Sequence, residues 1–378
     1  MAEQKHNKFH YSLIILFCCF LSLPVLENIF NFCPSPEFYE NRTLVSLPQF
    51  KISFGSFNKY LQSFDSFFND NFGFRKNLII LNSVLIFKIL HVSPSSKVIL
   101  GKNGWLFFSG EDEKYAKFQP PLSQKEVENL FQKIKDKQKY FEGKGVKYLA
   151  LVAPDKQSIY PEYLTDPYST WAKISPYNQL SDFIKDHNGE DFFLDVKAAI
   201  LKEKFKGSLV YYKTDSHYNN VSAFIVYSEL LSHMKQYYPA LISLQLPDFK
   251  RTVRYYSGDL IKFFLHLEPY LGEENIFYDY SKPFFATQTT FEKEYNGQSL
   301  TYPLILSKNK NVNTKTVVVL RDSQFIPILP WFAESFSKVL YISHSENKET
   351  ILQIINIEKP FMVIEERVER SLMSHPID

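Results

Sequence analysis

Hydrophobic and polar positions divide the chain into regimes of different period. From Tyr11 to Leu26 almost every position is apolar, after a polar head containing Lys5 and Lys8 and before Glu27. That length lies between a signal-peptide core and a full membrane span. No small-x-small cleavage site follows, and Cys18 and Cys19 lack the flanking residues of a lipoprotein signal. The pattern predicts an uncleaved signal anchor with its basic head in the cytoplasm and the rest outside, a cleaved signal peptide being the alternative.

Beyond the anchor the periods of helix and strand alternate. Phe57 to Phe68 and Leu78 to Leu90 read as helices, and Asn103-Gly104 reads as the tip of a hairpin. Ser123 with Glu126 forms a capping box ahead of one apolar helical face made by Val127, Leu130, Phe131, Ile134 and Phe141. Val146 to Val152 is a buried strand, Val196 to Phe205 and Val221 to Tyr237 are helices, and Thr316 to Leu320 is a further strand. Ile326 to Phe336 reads as a helix, and Val339 to Ile342 and Met362 to Ile364 as strands. This alternation predicts an α/β fold, a doubly wound parallel sheet with helices on both faces. Pro239 to Lys315 lacks a clear period and is expected to form loops and insertions over the site. The expected organisation is a cytoplasmic head and anchor over residues 1–35, a helical extension over 36–97 and one large domain over 98–378. No internal repeat is visible.

Composition narrows the function classes. The formal net charge of +2 argues against a nucleic-acid protein. The Lys-rich stretch from Ser307 to Lys315 reads as an exposed loop before a strand. All three cysteines, Cys18, Cys19 and Cys33, lie in or just after the anchor. The exported body therefore has no thiol for a disulfide, a nucleophile or a metal site, and no two histidines share a ligand spacing. No cofactor is expected. Aromatic residues make up 17% of the chain but are spread throughout it, which points to core packing before sugar stacking.

The candidate chemistry lies in two strings about a hundred residues apart, Asp215-Ser216-His217 and Arg321-Asp322-Ser323. A serine hydroxyl is a weak nucleophile unless a base lies within hydrogen-bond reach and a third group orients that base. In an extended segment, positions i and i+2 share a face, so Asp215 could orient His217. Ser323 sits between an apolar strand and a helical run, the context of a serine nucleophile, and a helix starting just after it would aim N–H groups at a developing oxyanion. Its own N–H is the first candidate donor, with Asn219 and Arg321 as others. Lys156 follows the strand that ends at Pro154, at the carboxyl edge of the sheet, where it could hold an anionic sugar. Each feature also has a structural reading: Asp322 as a helix cap, His217 as a satisfied histidine, Asn219 as a turn closer and Lys156 as a solvated loop lysine.

Seven stretches resemble the alginate O-acetyltransferase family and related DHHW-type envelope proteins. They are ENRTL from Glu40, FNDNFGFR from Phe68, GKNGWLFF from Gly101, APDKQSIYPEYL from Ala153, KTDSHYN from Lys213, SGDL from Ser257 and LRDSQF from Leu320. Their order along the chain is the family's, with Asp and His ahead of Ser. The resemblance implies an SGNH-hydrolase-like domain with a Ser323, His217 and Asp215 triad that passes an acetyl group through an acetyl-serine to an exopolysaccharide or surface glycan outside the cytoplasmic membrane. It also implies a partner, a multi-spanning membrane O-acyltransferase that delivers the acetyl group. Two positions depart from the family: Tyr218 stands where Trp is common, and Arg321 replaces the glycine of Gly-Asp-Ser, which leaves the oxyanion hole open. Some relatives carry a carbohydrate-binding module after the catalytic domain; with the sequence ending at Asp378, none is expected here. A glycan O-acetyl esterase and a catalytically inactive glycan-binding or scaffold protein are the alternatives.

Overall fold

The structure is a computed structural model. Its described residues are 2–34, 36, 38–40, 43–49, 56–110, 121–166, 174–268 and 270–374. Asn41 and Arg42 of the ENRTL stretch lie outside them. The chain divides into two units, Met1–Ser95 with Ile261–Leu271, and Ser96–Leu260 with Gly272–Asp378.

The first unit is helical. Helix α1 spans Ala2–Phe30, and its part from His10 to Phe30 is long and apolar enough to cross a membrane. Helices α2 (Ser56–Asp70) and α3 (Arg75–Lys88) follow, over the two stretches whose period is helical.

The second unit is built on a sheet. It opens with the antiparallel hairpin of β1 (Val98–Leu100) and β2 (Leu106–Phe108), whose turn holds Asn103 at φ 55° and Gly104 at φ 78°. Helix α4 (Gln124–Glu142) starts at Ser123 with both hydrogen bonds of the capping box formed, and leads into β3 (Lys147–Ala153). Then come the short helix α5 (Lys156–Ile159), α6 (Pro176–Asp186), β4 (Phe193–Leu194), α7 (Lys197–Phe205) and α8 (Asn220–Lys235). Strands β5 (Phe249–Tyr256) and β6 (Glu273–Tyr280) pair as an antiparallel ribbon, and β7 (Thr287–Phe291), the small pair β8 (Glu294–Tyr295) and β9 (Gln298–Ser299), and β10 (Leu304–Lys308) follow. The chain closes with β11 (Thr316–Arg321), α9 (Leu329–Ala333), β12 (Lys338–Ser343), α10 (Lys348–Glu358), β13 (Met362–Val368) and α11 (Ser371–Ser374).

The main sheet has the order β4-β3-β13-β11-β12-β10-β7. The first five strands run parallel, whereas β10 is antiparallel to both of its neighbours, so the sheet is mixed at one edge. Alternation along the strands sorts the core into two layers. Leu149, Val317, Val319, Val339, Tyr341 and Ile364 face α8 and α9, while Ala150, Val318, Leu340, Ile342 and Val363 face α4, α6 and α10.

Three sequence expectations change. Among the described residues, the region from Pro239 to Lys315 holds six strands rather than loops alone. Its ribbon is exposed along most of β5 on both faces, so no hydrophobic alternation marks it. The run from Ile326 to Phe336 is helical only from Leu329 to Ala333, because Pro327 and Pro330 lack the N–H groups a longer helix would need. The stretch from Ser307 to Lys315 begins inside β10, with Ser307 buried.

Leu340 is fully buried where the central strands meet α10. Leu340→Ala is expected to cost about 2–5 kcal/mol, read as a lower chemical-denaturation midpoint of the full chain.

Candidate active site

Ser323 lies one residue beyond the end of β11, after Asp322, and opens a 3-10 turn, Ser323–Phe325, at the carboxyl edge of the parallel strands, where ligands bind in open α/β folds. Asp322 ties this turn down. One of its carboxylate oxygens accepts from the Gln324 N–H at 2.8 Å, and the other accepts from the Val368 N–H of the neighbouring strand β13 at 2.6 Å. The cap reading of Asp322 therefore holds, and it does so beside an available Ser323. Behind it, the Asp322 N–H donates to Glu366 at 3.0 Å. Burial, and then the Asp322 carboxylate, push Glu366 well above the usual carboxylate range.

His217 arrives from a separate segment that ends at the start of α8. Its Nε2 lies 2.8 Å from the Ser323 hydroxyl, and its Nδ1 lies 2.7 Å from Asp215 Oδ1. An ionised carboxylate only accepts, so Nδ1 carries the proton and Nε2 is left to accept from the serine. Asp215 and His217 meet in a bend and not in an extended strand. The bend is closed by the His217 N–H donating to Asp215 Oδ1 at 2.9 Å, so local hydrogen bonding achieves what alternation was expected to do. The His217 side chain keeps 23% of its surface exposed while that of Asp215 keeps 3%, which makes the ring the reachable end of the chain.

The second oxygen of Asp215 is held by the last residue of β5 and by the loop after it. Tyr256 donates its hydroxyl at 2.6 Å and the Asp259 N–H donates at 2.8 Å. Burial alone would push Asp215 up, but His217, Tyr256 and the Asp259 N–H outweigh it and hold the carboxyl well below the usual range. Asp259 in turn accepts from the Ser216 N–H at 2.6 Å and from the Ser216 hydroxyl at 2.5 Å, and its Oδ2 stands 3.5 Å from His217 Nδ1. Burial first, then repulsion from Asp215, push Asp259 up to about 6. Burial would lower His217, yet Asp215 and then Asp259 reverse that, and the ring is raised above its ordinary value. Asp215, His217 and Asp259 bring ligand-type atoms within 4.8 Å of one another, but those atoms already serve as donors and acceptors to each other and to Ser216.

Gly258 makes this junction possible. A β-carbon there would stand 2.3 Å from the Thr214 carbonyl oxygen and 2.5 Å from the Asp215 nitrogen, so only glycine lets the two backbones meet. Tyr256 and Asp259 carry no catalytic signature of their own. The SGDL stretch from Ser257 holds Gly258 and Asp259, and Tyr256 lies just ahead of it with no sequence signal.

The remaining sequence candidates fall elsewhere. Lys156 is 1% exposed, and its ammonium donates to the carbonyls of Tyr212, Lys213 and Asp215 at 3.1, 3.0 and 2.5 Å. It is neither a solvated lysine nor free for an anionic sugar; it pins the segment that carries Asp215. Burial lowers it to about 8 against the opposing pull of Asp215, Asp259 and Glu273. Asn219 caps α8, accepting from the N–H groups of Val221 and Ser222, and its amide donates to Leu209 and Asn275, which leaves no proton for an oxyanion. Arg321 donates to the Asp322 carbonyl at 3.2 Å, while its buried Nε meets no partner among the described residues. The Ser323 N–H likewise meets no acceptor among the described residues. Because the helix after it is short, the turn's own N–H groups matter more here than a macrodipole.

Gly258→Ala is expected to force the two backbones apart and break the Asp259–Asp215 hydrogen bond, lowering the melting temperature and exposing Asp215. A variant with unchanged melting temperature and unchanged His217 titration by NMR would contradict this account of the junction.

With the geometry in place, the similarities are informative. Residues 98–277 match the family described as the SGNH hydrolase-like domain of the acetyltransferase AlgX, a span that contains Asp215, His217 and Asp259 and ends before Ser323. The chain is 24% identical over 218 residues to the probable alginate O-acetylase AlgJ of Pseudomonas aeruginosa, covering 57% of this chain and 52% of that protein. It thus spans about half the length of that curated relative. Bacillus cereus PatB1, solved with a sulfonyl adduct, superposes with a TM-score of 0.55 at 19% identity over 72% of this chain and 97% of PatB1. A DHHW family protein from Eubacterium siraeum superposes with a TM-score of 0.51 at 14% identity over 74% of this chain and 96% of that one. These two likenesses establish the fold. Residues 98–277 are thus similar to the SGNH hydrolase-like domain of the acetyltransferase AlgX, and the chain has that fold.

Proposed function

We propose that the protein is an O-acetyltransferase in which Ser323 is the nucleophile, His217 the general base and Asp215 the group that orients and charges the base. The observation that carries this reading is the unbroken chain from Ser323 Oγ to His217 Nε2 at 2.8 Å and from His217 Nδ1 to Asp215 at 2.7 Å. Nε2 takes the hydroxyl proton as Oγ attacks the acetyl carbonyl, and the resulting imidazolium returns it to the leaving group. The product of this half is an acetyl-serine ester. A sugar hydroxyl then gives its proton to Nε2 and attacks the ester, which restores Ser323 and leaves an O-acetylated glycan. The Ser323 N–H is the oxyanion donor in both halves.

The family match to residues 98–277 and the curated alginate O-acetylase support polysaccharide O-acetylation, with an exopolysaccharide or surface glycan as acceptor. The apolar helix supports a single-pass anchor with the second unit outside the cytoplasmic membrane. From there the site cannot reach cytoplasmic acetyl donors, so the reading includes a membrane-bound O-acyltransferase partner that delivers the acetyl group. Transfer wins over hydrolysis if the acceptor is positioned, since effective molarities of ~10⁵ M or more outcompete water.

The test is to incubate the full-length protein in nanodiscs with an activated acetyl ester and map the adduct by intact mass and peptide analysis. An acetyl group on Ser323 is expected, lost in Ser323→Ala and in His217→Ala. Ester turnover should fall on the order of 10⁴-fold in Asp215→Asn, where the wrong tautomer faces the serine. Unchanged turnover in Ser323→Ala would overturn the reading, and release of free acetate in the presence of glycan acceptor would make the protein an esterase.

The base works only when neutral, and its pKa is raised, so activity is lost as pH falls through a value above 6.5. The acid limb of kcat/KM is expected above that value, and Asp259→Asn should move it to lower pH by removing one of the two carboxylates that raise His217. A limb that stays in place would remove Asp259 from the electrostatics of the base.

A further inference from the structure

The FNDNFGFR stretch lies outside the site around Ser323, yet it is tied by several side-chain hydrogen bonds within the first unit. Asp70 accepts from the Val45 N–H at 2.9 Å, and Asn71 donates to the Val45 carbonyl at 3.0 Å. Arg75 forms a bidentate pair with Glu40 at 3.0 and 2.8 Å. The segment also grips α1: the Asn28 amide donates to the Asn71 carbonyl at 2.7 Å, and a β-carbon on Gly73 would stand 2.0 Å from the Pro24 carbonyl oxygen. The corner between α2 and α3 is thus pressed against the last two turns of α1.

Both helices leave an apolar stripe uncovered. On α2, Phe57, Leu61, Phe64 and Phe68 follow one face at intervals of four, three and four, and each is 40–58% exposed. On and just after α3, Leu78, Leu81, Leu85 and Ile89 do the same and are 45–65% exposed, although Ile80 on another side of the helix is buried. A helix apolar on more than one side needs a second apolar environment, and contiguous exposed apolar surface marks an interaction site.

The grip on α1 says what covers the stripes. His10–Phe30 is about 32 Å long at 1.5 Å per residue, close to the roughly 30 Å of a bilayer core. Pro24 and Asn28 lie about 9 and 3 Å before its end, at the depth where the core gives way to headgroups. We propose that α2 and α3 are interfacial helices, held at the outer membrane-water boundary by the Asn71–Gly73 grip on α1, with their Phe and Leu stripes inserted among the lipids. Aromatic and leucine side chains on one face with polar residues on the other are the composition of such helices. The first unit is then a three-helix foot on the lipid surface instead of a single tether. This inference rests on reading α1 as a membrane span.

The test uses the full chain with Cys18 and Cys33 replaced by Ser and single labelling sites carrying an environment-sensitive fluorophore: the native Cys19, or, with Cys19 also replaced, Phe64→Cys, Leu85→Cys or Ser66→Cys. The protein is reconstituted in phosphatidylethanolamine–phosphatidylglycerol vesicles containing a shallow nitroxide lipid. Positions 64 and 85 are expected to be quenched several-fold more by the nitroxide than position 66, which lies on the opposite face of α2, while aqueous iodide quenches mainly position 66. Quenching of the label at Cys19 with iodide-accessible labels at 64 and 85 overturns the interfacial proposal alone. No nitroxide quenching at any site overturns the span as well. Protection at 64 and 85 that requires native membranes and fails in protein-free vesicles assigns the stripes to a protein partner and also overturns the proposal.

Discussion

The site depends on one buried carboxylate. Asp215 accepts four hydrogen bonds, from the His217 N–H and ring, the Tyr256 hydroxyl and the Asp259 N–H. Hydrogen bonds to a charged group are each worth about 1.5–3 kcal/mol, and an unpaired buried carboxylate is costly, so these partners stand or fall together. Their donors come from two segments that meet only in the folded chain. Asp215 is accordingly the joint that fixes the ring's angle and the reason the ring can hold a proton on its inner nitrogen.

Positive charge around this joint is supplied economically. Lys156 neutralises the surrounding carboxylates without forming an ion pair, because its ammonium is spent on three carbonyls of the segment that carries Asp215. The imidazole is raised because the acids near the ring outweigh both burial and the positive charge of Arg370. The serine side is built differently, with Asp322 stitching the turn to β13 so that the hydroxyl keeps its place relative to strands that are themselves fully paired.

The likeness of this chain to SGNH-type acetyltransferases thus has a physical content. A parallel sheet gives Ser323 a rigid edge, and a long excursion between β4 and β10 brings back both the base and its supports. The mixed edge formed by β10 and β7 extends the sheet away from the site without altering it.

Read alone, the sequence determined the elements that build the core. The strands from Val146, Thr316, Val339 and Met362 are buried on both faces and so read as continuous apolar runs, while the helices α4 and α8 follow from period and capping. That Asp215, His217 and Ser323 come together was legible too, from the residue types of the two strings and their order. The tertiary structure decided the rest. Strand β5 is exposed on both faces along most of its length and so leaves no period, and Tyr256, Gly258 and Asp259 at and after its end stayed unassigned. Lys156 and Asn219 looked like groups for a substrate because their residue types permit it. Only the fold shows that every proton they can donate is already taken by the backbone and by Asn275, since the competition for a buried donor is settled by neighbours distant in sequence.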